Sequence, residues 1–254
     1  MKKSSRPSRG RGLKVIAAIP AHNVSQFIAD VVSKANKHVA EVVVVDDGST
    51  DDTELVARTA GAVVVKHKMN QGAGAATRTC FETALSKGAD ALVTLDGDGQ
   101  HDGEEIPAVV APILAGKADL VIGSRFLDKE CQVPRYRKFG IDIITWLYNF
   151  AAKVKVSDAQ SCYRAYSKKA LSTLNITENG FGFSVQVLIQ ARKKGLVITE
   201  VPIYCVYHAG SHSLNPVVHG LGVAFCVIKL RLKSLVSRPA GDKLRADEPK
   251  RVSS

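Results

Sequence analysis

The chain has 254 residues, 45% hydrophobic and 23% charged, with a formal net charge of +11, a composition that buries a full core and argues against a disordered protein. Five cysteines, at positions 80, 131, 162, 205 and 226, include no Cys-x-x-Cys pair, which argues against a disulfide framework or zinc site and fits a reducing compartment. The basic excess suits an anionic partner, but aromatics are only 6% and no RNA-binding signature interleaves them with cations, so nucleic acid is not expected.

Residues 1–12 hold five Lys/Arg and no acid and read as a disordered basic tail without the apolar stretch of a secretory signal. Strands are then predicted at 14–19, 41–45, 62–66, 91–95 and 119–122, alternating with helices at 25–35, from Asp51 or Asp52 to Gly61, at 74–87 and at 104–115. Val42 to Val45 form a run too continuous for a water-facing edge. The alternation predicts an α/β fold with a parallel sheet and right-handed crossovers. Beyond Gly123 the pattern changes, with helices predicted at 136–152, 168–174 and 184–194, a strand at 197–207 and an apolar helix at 216–235. On the 136–152 helix, core packing is the default for Trp146, Tyr148 and Phe150, with a lipid-facing role as the alternative. Residues 236–254 read as a disordered charged tail. No segment reaches the ~18 apolar residues of a spanning helix, so any membrane contact is expected at the surface, aided by the basic tails; the 216–235 helix reads either as a core helix whose terminal cations complement its dipole or as a membrane-surface helix.

Ligands of open parallel sheets sit at the carboxyl ends of the strands, and the polar residues of this chain collect there. Strand one ends in Pro20-Ala21-His22-Asn23, strand two in Asp46-Asp47-Gly48-Ser49, and strand three leads into Asn70-Gln71-Gly72-Ala73-Gly74. Strand four delivers Asp96-Gly97-Asp98-Gly99-Gln100-His101, and strand five ends in Gly123-Ser124-Arg125. Asp96 and Asp98, at i and i+2 of an extended chain, project to one side. Close carboxylates repel unless a cation sits between them, and Mg²⁺ or Mn²⁺ carrying a diphosphate is the natural candidate.

In order and spacing these motifs resemble the GT-A glycosyltransferases of the family-2 type. Three further stretches, Asp158-Ala159-Gln160-Ser161-Cys162-Tyr163-Arg164, Glu200-Val201-Pro202-Ile203 and Gly210-Ser211-His212-Ser213, are similar to the dolichyl-phosphate mannose synthase branch. Asp-Gly-Asp-Gly-Gln-His with the later Ser213-Leu214-Asn215-Pro216 looks closer to archaeal relatives using UDP-GlcNAc or UDP-glucose. The resemblance implies a Rossmann-like GT-A domain over 13–235, with a mostly parallel central sheet flanked by helices and C-terminal acceptor-side helices, that moves one hexose or N-acetylhexosamine from a nucleotide sugar (UDP-GlcNAc, UDP-glucose or GDP-mannose) to dolichyl or polyprenyl phosphate, with inversion. It implies a peripheral position on the cytoplasmic face of an anionic membrane. Carried over residue by residue, Pro20, Ala21 and Asn23 line the nucleotide, and Asp46 or Asp47 contacts base or ribose. Gly72 and Gly74 permit close approach to the donor, and Asp96 faces its ribose or diphosphate. Asp98 and Gln100 hold Mg²⁺ or Mn²⁺. Arg125 and Arg137 approach phosphates near the acceptor, with Ser211 on the acceptor side; Asp98, Arg125 and Arg137 form the implied catalytic set.

The chain departs from the branch at Val24, Cys162, Gln186 and His208, where Glu, Gly, Glu and Arg are usual. These departures keep two readings open beside the first: a family-2 transferase with a non-lipid acceptor, and a non-catalytic binding subunit. A sugar nucleotidyltransferase would want a Gly-rich basic loop after strand one, which Pro20–Val24 is not. The sequence leaves the oligomeric state open.

Overall fold

The computed structural model describes residues 12–127, 133–150, 152 and 154–207. The expected tails (apart from Gly12), the 216–235 helix, Ser211 and His208 lie outside the described residues.

Seven strands form one sheet in the order β3-β2-β1-β4-β6-β5-β7. They are β1 (Val15–Ala21), β2 (Glu41–Asp46), β3 (Val63–Lys66), β4 (Ala91–Thr94), β5 (Leu120–Ser124), β6 (Arg164–Ser167) and β7 (Ile198–Pro202). The helices are α1 (Ser25–Asn36), α2 (Thr53–Thr59), α3 (Ala73–Ser86), α4 (Ile106–Leu114), α5 (Arg135–Asn149), α6 (Lys168–Thr173) and α7 (Phe183–Lys193). Alternate residues of each central strand feed opposite cores. Ile16, Val43, Leu92 and Leu120 pack with Phe81 of α3, Ile144 and Tyr148 of α5 and Leu188 of α7. Ala17, Ile19, Val44, Val93 and Val121 pack with Ile28 and Val32 of α1, Ala57 of α2 and Val109 of α4. A sheet covered on both faces needs continuous apolar strands, which is why the Val42–Val45 run was legible. Asp51 joins two helix starts, accepting from Ser25 N at 3.1 Å and from Thr53 N and Oγ1 at 3.1 and 2.6 Å.

Three features differ from expectation. First, β6 was not foreseen as an element; it runs antiparallel between β4 and β5, which leaves the sheet mostly parallel, as the GT-A resemblance implies. It escapes sequence reading because it is four residues long and opens on Arg164, a cation that is 1% exposed. Arg164 is accommodated there by carbonyls, donating to Ser184 O at 2.8 Å and Ala159 O at 3.0 Å. Second, β7 stops at Pro202, short of the predicted 207, because proline lacks the N–H that a continuing ladder needs. Third, the aromatics of α5 divide. Tyr148 is fully buried, whereas Tyr136, Phe139, Ile143, Trp146 and Phe150 are 57%, 68%, 41%, 61% and 60% exposed. Their spacing of three and four residues makes them one apolar stripe.

Candidate active site

The loops after β1, β2 and β3 hold one another. Asp47, 3% exposed, accepts at Oδ1 from His67 Nδ1 (2.6 Å) and Gln71 N (2.9 Å), and at Oδ2 from Gly72 N (2.8 Å). Asp46 is fully buried; it accepts from Ser49 N at 2.8 Å and has Lys66 Nζ at 3.5 Å. Among the described residues Asp46 Oδ2 has no hydrogen-bond partner, whereas both oxygens of Asp47 are engaged and set the position of the Gln71–Gly72 backbone. Pro20 and Ala21 close β1, with Ala21 O accepting from Asp47 N at 2.8 Å. Asn23 has φ +53°, a left-handed conformation that asparagine tolerates better than most residues. Its N–H donates to Ser49 Oγ at 2.9 Å, and its side-chain oxygen accepts from Thr50 N at 2.9 Å.

The glycines of the third loop make room for the segment before α7. Gly72 has φ +99°, and a Cβ there would lie 2.5 Å from Asn179 O; a Cβ on Gly74 would lie 2.0 Å from Glu178 O. Gly74 N donates to Asn179 O at 2.6 Å, so the segment before α7 straps the start of α3. Gln186 holds that strap: its Oε1 accepts from Thr177 N (2.9 Å) and Glu178 N (3.2 Å), and its Nε2 donates to Thr177 Oγ1 (2.6 Å). The departure at Gln186 is therefore seated in packing. Gly74→Ala is expected to destabilise the fold by about 1–3 kcal/mol through overpacking, read as the shift of a urea unfolding curve. An unchanged midpoint would mean the strap lifts freely.

Beyond β4 the chain turns so that Gln100 N and Nε2 donate to Asp98 Oδ1 (3.1 Å) and Oδ2 (2.7 Å). The Asp96 side chain is 38% exposed. Partial burial and the neighbouring Asp98 charge push its carboxyl above the usual carboxylate range, against the opposing charges of Arg125 and Arg164. His101 is 6% exposed, with Nε2 3.7 Å from Asp96 Oδ2. Burial, then the nearby Arg125, pushes the imidazole down to about 3, so it is neutral at physiological pH.

Arg125, at the end of β5, forms a two-pronged pair with the fully buried Asp158: Nε to Oδ2 at 2.7 Å and Nη2 to Oδ1 at 2.8 Å. Burial alone would raise the Asp158 carboxyl, but the Arg125 charge and hydrogen bonds outweigh it and hold the group below its usual range. Glu200 of β7 fixes the turn in front of Asp158, accepting from Ser157 N at 2.8 Å and Asp158 N at 3.2 Å. Arg125 Nη1 reaches the Tyr207 hydroxyl at 3.1 Å. The guanidinium of Arg137, in the first turn of α5, lies 5.3 Å over the Tyr207 ring.

Residues 205–207 tie these groups to the Asp98 turn. Cys205 bridges to His101, Val206 N donates to Gln100 O at 2.9 Å, and Tyr207 follows with Arg125 and Arg137 against it. Asp96, Asp98, Gln100, Arg125 and Arg137 are thereby linked in one region. Asn23, Asp46, Asp47, Gly72 and Gly74 form the neighbouring loop cluster at the ends of β1–β3. Sequence reasoning gave no role to Tyr207, which had no motif to mark it. It noted Asp158 and Glu200 only within similar stretches, and their work here is to support Arg125.

The model of glycosyl transferase family 2 matches residues 16–174, and the chain belongs to that family. A Methanococcus voltae protein named UDP-N-acetylglucosamine–dolichyl-phosphate N-acetylglucosaminyltransferase is 33% identical over 211 residues, covering 74% of this chain and 84% of its own. An undecaprenyl-phosphate mannosyltransferase of Micrococcus luteus is 32% identical, covering 75% and 83%. Among solved structures, glucosyl-3-phosphoglycerate synthase of Mycobacterium tuberculosis, crystallised with Mn²⁺, UDP and glucosyl-3-phosphoglycerate, superposes with a TM-score of 0.69 at 23% identity over 91% of this chain and 82% of that one. The fold is accordingly GT-A, and the chain is a glycosyltransferase.

Proposed function

We propose that this chain transfers one hexose or N-acetylhexosamine, with inversion, from UDP-GlcNAc, UDP-glucose or GDP-mannose to a dolichyl or polyprenyl phosphate at the cytoplasmic face of a membrane. The observation that carries this reading is the linkage, through residues 205–207, of a carboxylate turn to two arginines, one of them on α5, the helix that also exposes an apolar stripe. The names of the Methanococcus and Micrococcus relatives support a lipid-phosphate acceptor.

Divalent metal fits the donor set. Asp98 and Gln100 bring hard oxygens, and the resistance of Asp96 to ionising beside Asp98 is relieved by a cation. Among the described residues no cluster of three His, Cys, Asp or Glu forms a complete cage. Mg²⁺ takes one or two carboxylates and completes its shell with substrate phosphates and water. Bound there, Mg²⁺ or Mn²⁺ would neutralise charge growing on the departing nucleoside diphosphate. The protein's own residues hold the reactants. Asp47, through its bonds to the Gln71–Gly72 backbone, shapes the nucleotide loop together with Asn23, Pro20 and Ala21. Asp96 faces the ribose or diphosphate. Arg137, backed by Arg125, holds the acceptor in line. A phosphate monoester has a second pKa of about 6 and is largely dianionic at neutral pH, so the nucleophile needs no general base.

Among the described residues no helix is long and apolar enough to cross a membrane. The stripe on α5 with Arg135 and Lys138 beside it suits the surface of an anionic bilayer. The test is a transfer assay with Mg²⁺ or Mn²⁺ and polyprenyl phosphate in anionic vesicles, offering the three labelled donors in parallel. Trp146, the single tryptophan, reports vesicle contact by its emission. Label in the lipid phase from one donor supports the reading and names the sugar. No lipid label from any donor, with Trp146 emission insensitive to vesicles, would shift the assignment to a non-lipid acceptor.

A further inference from the structure

Arg125 and Arg137 look equivalent in the sequence, but the structure gives them different surroundings. Three N–H groups of the Arg125 guanidinium are directed within the protein, two at Asp158 and one at Tyr207, and its side chain is 11% exposed. Pulling that fork toward a ligand would leave a buried carboxylate unpaired, which is strongly unfavourable. Tyr207, half-buried, meets Arg125 at its hydroxyl and lies under Arg137 with its ring. Its own backbone follows directly on the two residues bonded to the Asp98–His101 turn.

We propose that Tyr207 is a positioning residue for the acceptor phosphate, anchored at its hydroxyl by Arg125 and presenting through its ring the guanidinium of Arg137. The inference rests on the acceptor reading given above and deepens it. The phosphate is met by Arg137, and Arg125 acts at second hand, by keeping the tyrosine ring upright beneath it. A cation over an aromatic face is attracted by the ring quadrupole, and Tyr is a good partner. The ring also restricts a long side chain that would otherwise lose rotamer freedom when it captures an anion.

The experiment is calorimetric binding of farnesyl phosphate, a short polyprenyl phosphate, to the full chain with Mn²⁺ and UDP present, beside binding of UDP with Mn²⁺ alone. Tyr207→Ala is expected to weaken farnesyl phosphate binding about three- to thirtyfold, the range of a cation–π contact. UDP affinity should stay within about twofold, because the backbone bonds at Cys205 and Val206 do not need the 207 side chain. Tyr207→Phe keeps the ring but loses the hydroxyl anchor to Arg125, and its affinity should fall between the wild type and Tyr207→Ala. A merely structural role would move both ligands together, and that result overturns the inference. So does unchanged farnesyl phosphate binding in Tyr207→Ala, or a phenylalanine variant as weak as the alanine one. If the wild type binds UDP but not farnesyl phosphate, the acceptor reading itself falls and takes this inference with it.

Discussion

Asp98→Ala is expected to reduce sugar transfer by about a thousandfold or more while leaving the melting temperature close to that of the wild type. Removing a single preorganised hydrogen-bond donor from an active site lowers turnover by about 10²–10³, and a lost divalent cation removes a larger charge from the developing leaving group. The fold has little reason to suffer. Asp98 is only half-buried, and both its bonds from Gln100 are local, within two residues. Its absence also relieves the repulsion that raises Asp96. The discriminating measurement is UDP affinity with and without Mn²⁺. In the wild type Mn²⁺ should tighten UDP binding, and in Asp98→Ala it should not. Full-rate turnover in the variant would remove Asp98 from the metal site.

Arg125→Ala should act in the opposite manner, through stability first. It leaves Asp158, fully buried, without the guanidinium that pairs with it, and breaking such a pair from one side costs about 3–5 kcal/mol. Urea unfolding at pH 7 reads this directly. In the wild type the folded-state carboxyl of Asp158 is held low. Its contribution is therefore complete above the unfolded value of about 3.9 and is lost as pH falls through the lower folded value. In the variant the sign reverses. Without Arg125, burial dominates and raises the carboxyl, so the penalty is full at neutral pH and shrinks as acid protonates Asp158. The stability gap between the two proteins should narrow from pH 7 toward pH 4. A gap that is small at pH 7, or that widens on acidification, would show that Asp158 is not paired as described. The companion Arg137→Ala, on half-exposed α5, carries no comparable stability loss.

The parts of the molecule that were legible in the sequence are those where a local pattern answers to a local cause. The strands β1, β2, β4 and β5 are apolar on both faces because both faces are covered, and their carboxyl-end loops announce themselves by Gly, Asp and Asn. What stayed hidden is tertiary. Nothing near Gly72 or Gly74 says that the backbone filling their missing Cβ positions comes from Glu178 and Asn179, about a hundred residues on. Nothing near Arg125 announces that its fork is met by Asp158. Arg164 reads as a loop cation because its acceptors, Ser184 O and Ala159 O, are backbone atoms with no side-chain signature. The sequence offers Asp46 or Asp47 to a base or ribose and does not reveal that Asp47 also holds the Gln71–Gly72 backbone. An acidic residue at the end of a strand looks the same whether it touches the ligand or the loop that does.

The central place of β6 also orders events on the ribosome. Strands β1 to β4 emerge in sequence and can pair among themselves, but the second neighbour of β4 begins only at Arg164. At about 5–20 residues per second, several seconds of synthesis pass with the Ala91–Thr94 edge open. That edge is four apolar or β-branched residues without a gatekeeping charge, the kind that pairs with whatever strand arrives first. The nascent chain therefore carries an open sheet edge after β1 to β4 are made and until Arg164–Ser167 arrives to cover it.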